Sequence, residues 1–511
     1  MTSRSRNKRL AAAAFSFALV AAACGGSSDG GGDDAAGDDP VATEAAGGDT
    51  ETTEAADDGG DTETTEAADD GGDTETTEAD DGGETETTEA GGGDEGPVEE
   101  PTGEPFVIGV QNLEGDPNGS FPEFSVAIQA AADYVNAELG GLQGRPIEIE
   151  LCKSVVSPDD SQRCANELSA DGVDLAISTI NFFGNHFSIY QGSDIPVLVV
   201  TPVTIADFTS EGVYSIGAGG GCLGAHTGLI EFVTNQIEAE EGITVNKVGV
   251  PWADTPPGVV CYNDLEAKPL DVLNGTEPGD AERAGSKPDL TYVGVPVAPA
   301  LPDATPQATE VLDFEPDAII FSGQGADCWN LVDAMGRLGW TPEQIPLVLS
   351  GSCTDFDAMR AAGPLAEGVY FIGSGNSLLS PLDGQEPGKN LDEATIYQTK
   401  MAEYGVSEDD IFKGFGTQGF SAIMNIWEIA NGVDGDVTAE AIEAGFQATD
   451  GTADTFGGLP LNCSGAPDPY VAVCSSSVSV NRWTGDAFET VEEELTGLDL
   501  VAGTELRPGP T

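Results

Sequence analysis

Few side chains in this sequence are equipped for covalent chemistry. His186 and His226 are the only imidazoles in 511 residues, and no Gly-x-Ser-x-Gly elbow stands between a strand and a helix to present an activated serine. Each histidine reads as a surface or hinge residue, so the expectation is a protein that is not an enzyme. Eight cysteines, Cys152, Cys164, Cys222, Cys261, Cys328, Cys353, Cys463 and Cys474, follow Cys24. None forms a Cys-x-x-Cys pair, and with two histidines available a zinc site is not expected. Asp409 with Asp410 and Asp434 with Asp436 lack the spacing of a calcium loop, so no metal is expected there either. The stretch GGGCLG at 219–224 fits Gly-x-Gly-x-x-Gly. A dinucleotide fingerprint opens the first βα unit of its domain, whereas this one follows about six strands, so it reads as a hinge and helix start and no cofactor is expected.

The elements around these residues alternate. Short β-branched runs at 106–110, 147–151, 173–178, 195–200, 247–250, 290–297, 318–322, 345–349 and 368–372 are separated by amphipathic stretches, helical at 123–139 and 158–170. Near-continuous apolar strands alternating with helices predict parallel sheets covered on both faces. Beyond residue 375 the pattern changes to consecutive helices at 391–404, 415–430 and 438–448. It then becomes hairpin-like over 470–491, with Thr484, Gly485 and Asp486 as the turn. A body of about 400 residues is too long for one core and suits two lobes. Open parallel sheets bind ligands beyond the carboxyl ends of their strands. That rule selects Asn112, Leu113, Asn181, Phe182, Thr201, Val203 and Thr204 in the first half, and Trp252, Asp254, Gln324, Asp327 and Ser352 in the second. Any one of these could instead cap a helix.

The segments VNAELGGLQGRPIEIELC at 135–152 and SPDDSQRCANEL at 157–168 resemble the first βα units of the type I periplasmic binding proteins of the branched-chain amino acid and amide class. IPVLVVTPVT at 195–204 and DAIIFSGQGADCWNLVDAMGRLGW at 317–340 resemble later units. The resemblance covers most of 105–491. It implies two Rossmann-like lobes, 105–218 with 375–468 and 219–374 with 469–511, joined by a three-segment hinge. It also implies a monomer that closes on a small-molecule solute and delivers it to an ABC permease. A ligand sensor on the same fold, and more distantly a secreted enzyme, are the alternatives. Because a lobe-spanning bond would obstruct closure, nearest-neighbour pairing is expected: Cys152 with Cys164, Cys222 with Cys261, Cys328 with Cys353, and Cys463 with Cys474.

Members of that class that bind α-amino acids follow the fourth strand with a Ser-Pro-Ala-Ala-Thr type segment and supply an acid from the second lobe to the ammonium. Here stand Thr201, Pro202, Val203, Thr204 and Ile205, then Ser350, Gly351, Ser352 and Cys353. Only Asp254 or Asp327 could compensate. The resemblance therefore implies a neutral or weakly polar ligand, such as an amide or an aromatic acid, held by Asn181, Thr201, Gln324 and Ser352 and packed by Phe182 and Trp252.

Upstream, Arg4, Arg6, Lys8 and Arg9 precede an apolar run from Leu10 to Val20, then Ala21, Ala22, Ala23 and Cys24. This resembles a bacterial lipoprotein signal over 1–23, with Cys24 as the lipidated first residue of the mature chain and the lipid as the only membrane contact. Residues 24–104 are a low-complexity tether in which GDTETTEAADDG recurs; 25–104 hold 29 acids and no base. Charge repulsion should extend it beyond the roughly 50 Å of a neutral flexible chain. Residues 105–511 carry 61 acids against 14 bases, a balance that repels phosphate and excludes nucleic acid as a partner. Replacing Cys24 with Ala is expected to move the protein from the membrane fraction to the medium; retention after a salt wash would rule out the lipid anchor.

Overall fold

The computed structural model describes residues 100–502 and 504, apart from 117–118, 218–220, 384–386, 453–454, 459 and 467–468. Cys24, the signal and all but the end of the tether lie outside the described residues, as do the lobe boundaries drawn at 218–219 and 468. The described residues form one compact unit built on two sheets.

The first sheet holds β1 (Phe106–Leu113), β2 (Ile147–Ser154), β3 (Leu175–Ser178), β4 (Val197–Val199) and β5 (Val213–Ser215), all parallel, in the order β2-β1-β3-β4-β5. The second holds β6 (Lys247–Ala253), β7 (Thr291–Val297), β8 (Ala318–Phe321), β9 (Leu347–Ser350), β10 (Tyr370–Gly373), β11 (Val478–Trp483) and β12 (Phe488–Leu495), in the order β12-β11-β10-β9-β8-β6-β7. Its parallel core ends in an antiparallel hairpin, β11 with β12. Sequence dictates position in each sheet. Central strands such as LAIS, AIIF, LVLS and YFIG are buried at every residue. The edge strands β2 (IEIELCKS) and β12 (FETVEEEL) expose acids between their apolar residues, which keeps the open edges from pairing with another chain.

The strand β5 was not anticipated, because VYS is three residues long between Gly212 and the glycine-rich run at 217–221. Strands β1 and β6 run three residues further than the expected 106–110 and 247–250. Asn112, Leu113 and Trp252 therefore lie within strands and not beyond them.

The first lobe is completed by helices that lie between β10 and β11 in sequence: Lys389–Glu403, Gly414–Asn431 and Ala439–Gln447. Helix Gly414–Asn431 packs on helix Pro122–Glu138. There Phe420, fully buried, meets Tyr134 at 6.3 Å and Tyr397 edge-on at 5.4 Å between ring centres. The chain passes between lobes three times: after β5 into helix Cys222–Glu231, after β10 towards the helices above, and from helix Ala439–Gln447 back to β11. The third passage is stitched to β5, where Ser215 N donates to Ala472 O at 2.7 Å and Cys474 N donates to Ser215 O at 3.0 Å.

All four expected disulfides form, with Cα separations of 5.6 Å for Cys152–Cys164, 5.8 Å for Cys222–Cys261 and Cys328–Cys353, and 4.0 Å for Cys463–Cys474. The last closes a loop and not a strand hairpin, since β11 starts only at Val478. Replacing Cys222 and Cys261 together with Ser opens a loop of 39 residues. That change is expected to lower the unfolding free energy by about 2–4 kcal/mol in denaturant titrations, and an unchanged midpoint would show that the bond constrains nothing.

Candidate ligand-binding cleft

The carboxyl ends of both sheets face a cleft of about 860 Å³, counting its space open to solvent. From the first lobe come Ile180 and Phe182 after β3, Thr201 and Val203 after β4, and Gly414, Phe415 and Gln418 at the start of a long helix. From the second come the first turn of helix Cys222–Glu231, then Ala253, Thr255 and Pro257 after β6. They are joined by Ser322, Gly323 and Gln324 after β8, Ser350 to Ser352 from the end of β9 onward, and Ile372 to Ser374 with Asn376 from the end of β10 onward. Across the mouth, Gly414 N donates to Thr354 O at 3.3 Å.

Tight geometry holds these loops. Gly221, with φ +61°, precedes helix Cys222–Glu231, and Cys222 N donates to Pro202 O at 3.0 Å. A Cβ on Gly221 would lie 1.8 Å from that carbonyl oxygen, so the glycine is needed both for its conformation and for the close approach. Asp207 braces the loop after β4. Its Oδ2 accepts from Val203 N and Thr204 N, each at 2.7 Å, within a capping box with Thr204. Complete burial pushes its carboxyl up to about 7 against those hydrogen bonds. In the second lobe Gly323 O accepts from Ser350 Oγ at 3.1 Å and Ser352 Oγ at 2.7 Å. Thr201 Oγ1 donates to Gln418 Oε1 at 2.5 Å, and Asn376 Nδ2, in a side chain 2% exposed, has no hydrogen-bond partner among the described residues.

Of the residues selected from the sequence, Phe182, Thr201, Val203, Gln324 and Ser352 come together in this lining. The others lie elsewhere for identifiable reasons. Asn112 is buried, donating to Phe121 O at 2.7 Å and Ser125 Oγ at 2.9 Å, beside buried Leu113. Asn181 shapes the loop after β3: its Oδ1 accepts from Phe183 N and Gly184 N, and its Nδ2 donates to Ser161 Oγ. Thr204 caps helix Ile205–Thr209. Trp252 stacks on Tyr262 at 4.9 Å, Asp254 is exposed, and Asp327 Oδ1 accepts from Ala300 N at 2.9 Å.

Both histidines depart from the surface or hinge position expected of them. His186 is fully buried, with Nε2 3.0 Å from Ser178 Oγ, and burial drives its pKa down to about 3. His226 lines the cleft with its Nδ1 2.9 Å from Glu266 Oε1. Nothing in the spacing of His226 and Glu266, forty residues apart, signals that pairing. Among the described residues the lining contains no Lys, Arg, Asp or Glu. Its apolar surface comes from Ile180, Phe182, Val203, Ala225, Pro257, Ile372, Phe415 and the Cys222–Cys261 disulfide.

A family model described as "Periplasmic binding protein" matches residues 274–466. A fatty acid ABC transporter substrate-binding protein from Thermomonospora curvata is 16% identical, with a TM-score of 0.59 over 81% of this chain and 98% of that one. A branched chain amino acid ABC transporter protein from Thermus thermophilus, solved with bound valine, is 13% identical, with a TM-score of 0.57 over 77% and 96%. No curated protein matches the sequence. The fold is that of the type I periplasmic binding proteins, as the sequence resemblance implies. Among the described residues no helix is long and apolar enough to cross a membrane.

Gly221→Ala is expected to cost about 1–3 kcal/mol of stability and to displace the helix start from Pro202, read as a lowered melting temperature. A variant as stable as the parent would show that the close approach is absent in solution.

Proposed function

We propose that this chain, whose fold is that of the type I periplasmic binding proteins, is an exported solute-binding protein, tethered through Cys24 and monomeric, that captures a small molecule for an ABC permease. The observation that carries this reading is the uncharged cleft. A chain with 90 acids and 18 Lys or Arg leaves its interlobe lining without one of either. A solute site for a charged group at both ends would require buried counter-charges, and burying an unpaired ion costs several kcal/mol. The ligand is accordingly a largely apolar molecule with one polar head. Its apolar body packs against Phe182, Val203, Ile372 and Phe415, and its polar atoms meet Thr201, Gln324, Ser352 and Asn376.

Free α-amino acids fit poorly. Asp254 and Asp327, the two carboxylates available to meet an ammonium, stand outside the lining, one exposed and one engaged by Ala300 N. Binding without turnover is supported by Ser322, whose Oγ donates to Glu266 Oε1, the oxygen that also faces His226, and so is engaged by the carboxylate and not activated by the imidazole. The similarity to the fatty acid ABC transporter substrate-binding protein of Thermomonospora curvata agrees with the apolar walls.

In calorimetry, leucine and valine are expected to bind no tighter than about millimolar, near −4 kcal/mol. Micromolar affinity for either would overturn the uncharged-cleft reading and place this protein with the amino acid binders.

A further inference from the structure

Glu266 has no exposed surface. Its Oε1 accepts from Ser322 Oγ and lies 2.9 Å from His226 Nδ1, while its Oε2 has no partner among the described residues. Both partners line the cleft, and Glu266 stands directly behind them. It sits in a π-helical turn, Asn263–Ala267, inserted between helices Pro256–Tyr262 and Lys268–Asn274. Such an insertion shifts the helix register by one residue and recurs at functional sites. A half-satisfied buried carboxyl costs stability, so its retention calls for a task. What it does geometrically is hold one ring nitrogen of His226 by proximity and leave the other for the cleft: Nδ1 lies 2.9 Å from Oε1, outside hydrogen-bond geometry, and the side chain is 11% exposed.

We propose that the His226–Glu266 pair reads the ligand's polar head, and that this head is a carboxylic acid; the proposal rests on the cleft being the solute site. The pair presents a single nitrogen, Nε2, to the cleft. With Nε2 protonated the pair is net neutral, and a ligand carboxylate accepts from Nε2–H; with Nε2 unprotonated the pair carries one negative charge, and a ligand acid donates its O–H to the Nε2 lone pair. Each route ends in the same atoms and the same total charge, with Nδ1 kept against Glu266 Oε1. Asn376 Nδ2 is a second unpartnered donor in the same lining, suited to the other carboxylate oxygen. An isosteric amide brings no charge and loses the stronger, charge-assisted bond.

The test uses the whole mature protein, with octanoate against octanamide and phenylacetate against phenylacetamide, by calorimetry on the parent, His226→Gln and Glu266→Gln. In at least one pair the acid is expected to bind about tenfold or more tightly than its amide. His226→Gln should weaken the acid by about tenfold to a hundredfold and leave the amide within about threefold, erasing the preference. Because the chain has two histidines, histidine-labelled NMR of the parent gives an independent reading that needs no variant. The His226 imidazole signal should shift on saturation with the acid while that of His186 stays still. Equal binding of acid and amide, a preference that survives His226→Gln, or an unmoved His226 signal each overturns the assignment and leaves the solute-binding reading intact. If none of the four binds, mass spectrometry of molecules released from protein purified from its own cells decides: a carboxylic acid supports the proposal and a ligand without one overturns it. Release of nothing, with no binding to the panel, overturns the solute-binding reading itself.

Discussion

The cleft depends on one topological constraint, that parallel strands joined by helices end on the same side of their sheet. In each lobe this gathers the strand-to-helix loops along one edge, and the two edges face each other because the chain passes between lobes beside them. Backbone polarity alone thus places the loops after β3, β4, β6, β8, β9 and β10 around one space. Helix starts accompany them, and their unpaired N–H groups favour an acceptor in the ligand. The antiparallel hairpin β11–β12 extends the second sheet at its far edge and contributes no loop to the lining.

Charge is partitioned as strictly as the strands. Acids crowd the tether and the sheet edges, where water and salt screen them, while the cleft wall is uncharged. The carboxyls that do enter the interior act from behind the wall. Asp207 ties down the loop carrying Thr201 and Val203, and Glu266 orients His226. Glu123, at the start of the helix that packs on Gly414–Asn431, is likewise pushed up to about 7 by burial. For Asp207 and Glu123 folding favours the protonated form, so their contribution is greatest below the ordinary carboxylate range and is lost as pH rises towards 7. The loop that Asp207 braces is held at neutral pH against that cost.

The alternation of apolar runs and amphipathic stretches made both parallel cores and the late helical block legible, because period and continuity reflect burial directly. What could not be read were boundaries. Ending β1 at residue 110 and β6 at residue 250 turned Asn112, Leu113 and Trp252 into loop residues, although Asn112 can lie buried in β1 because its side chain finds partners inside the core. Short polar residues at strand ends proved ambiguous in the same way. Thr204 and Asn181 carry local hydrogen bonds that cap or turn the backbone, while Thr201 and Ser352, of the same chemical kind, point into the cleft. His226 reads from sequence as a surface or hinge residue because its place in the cleft is legible only through Glu266, which reaches it through the packing of two helices and a π-turn.

The disulfides show how such a site can be both movable and preorganised. Cys222–Cys261 ties the start of the helix bearing His226 to the helix that leads into Glu266, and Cys328–Cys353 ties the helix after β8 to the loop after β9. Both bonds lie within the second lobe, so they fix the relative positions of Gln324, Ser352, His226 and Ser322 without crossing the hinge. On the proposed solute-binding reading, closure is a rigid movement at the three crossings, with the second lobe's half of the site already assembled. Ordering those loops on binding would otherwise consume affinity, at about 0.5–1.5 kcal/mol for each rotamer-rich side chain immobilised. In a cleft whose lining holds no Lys, Arg, Asp or Glu among the described residues, and where His226 is the one side chain able to carry charge, that saving is a larger share of the binding free energy than in a site built on several ionic contacts.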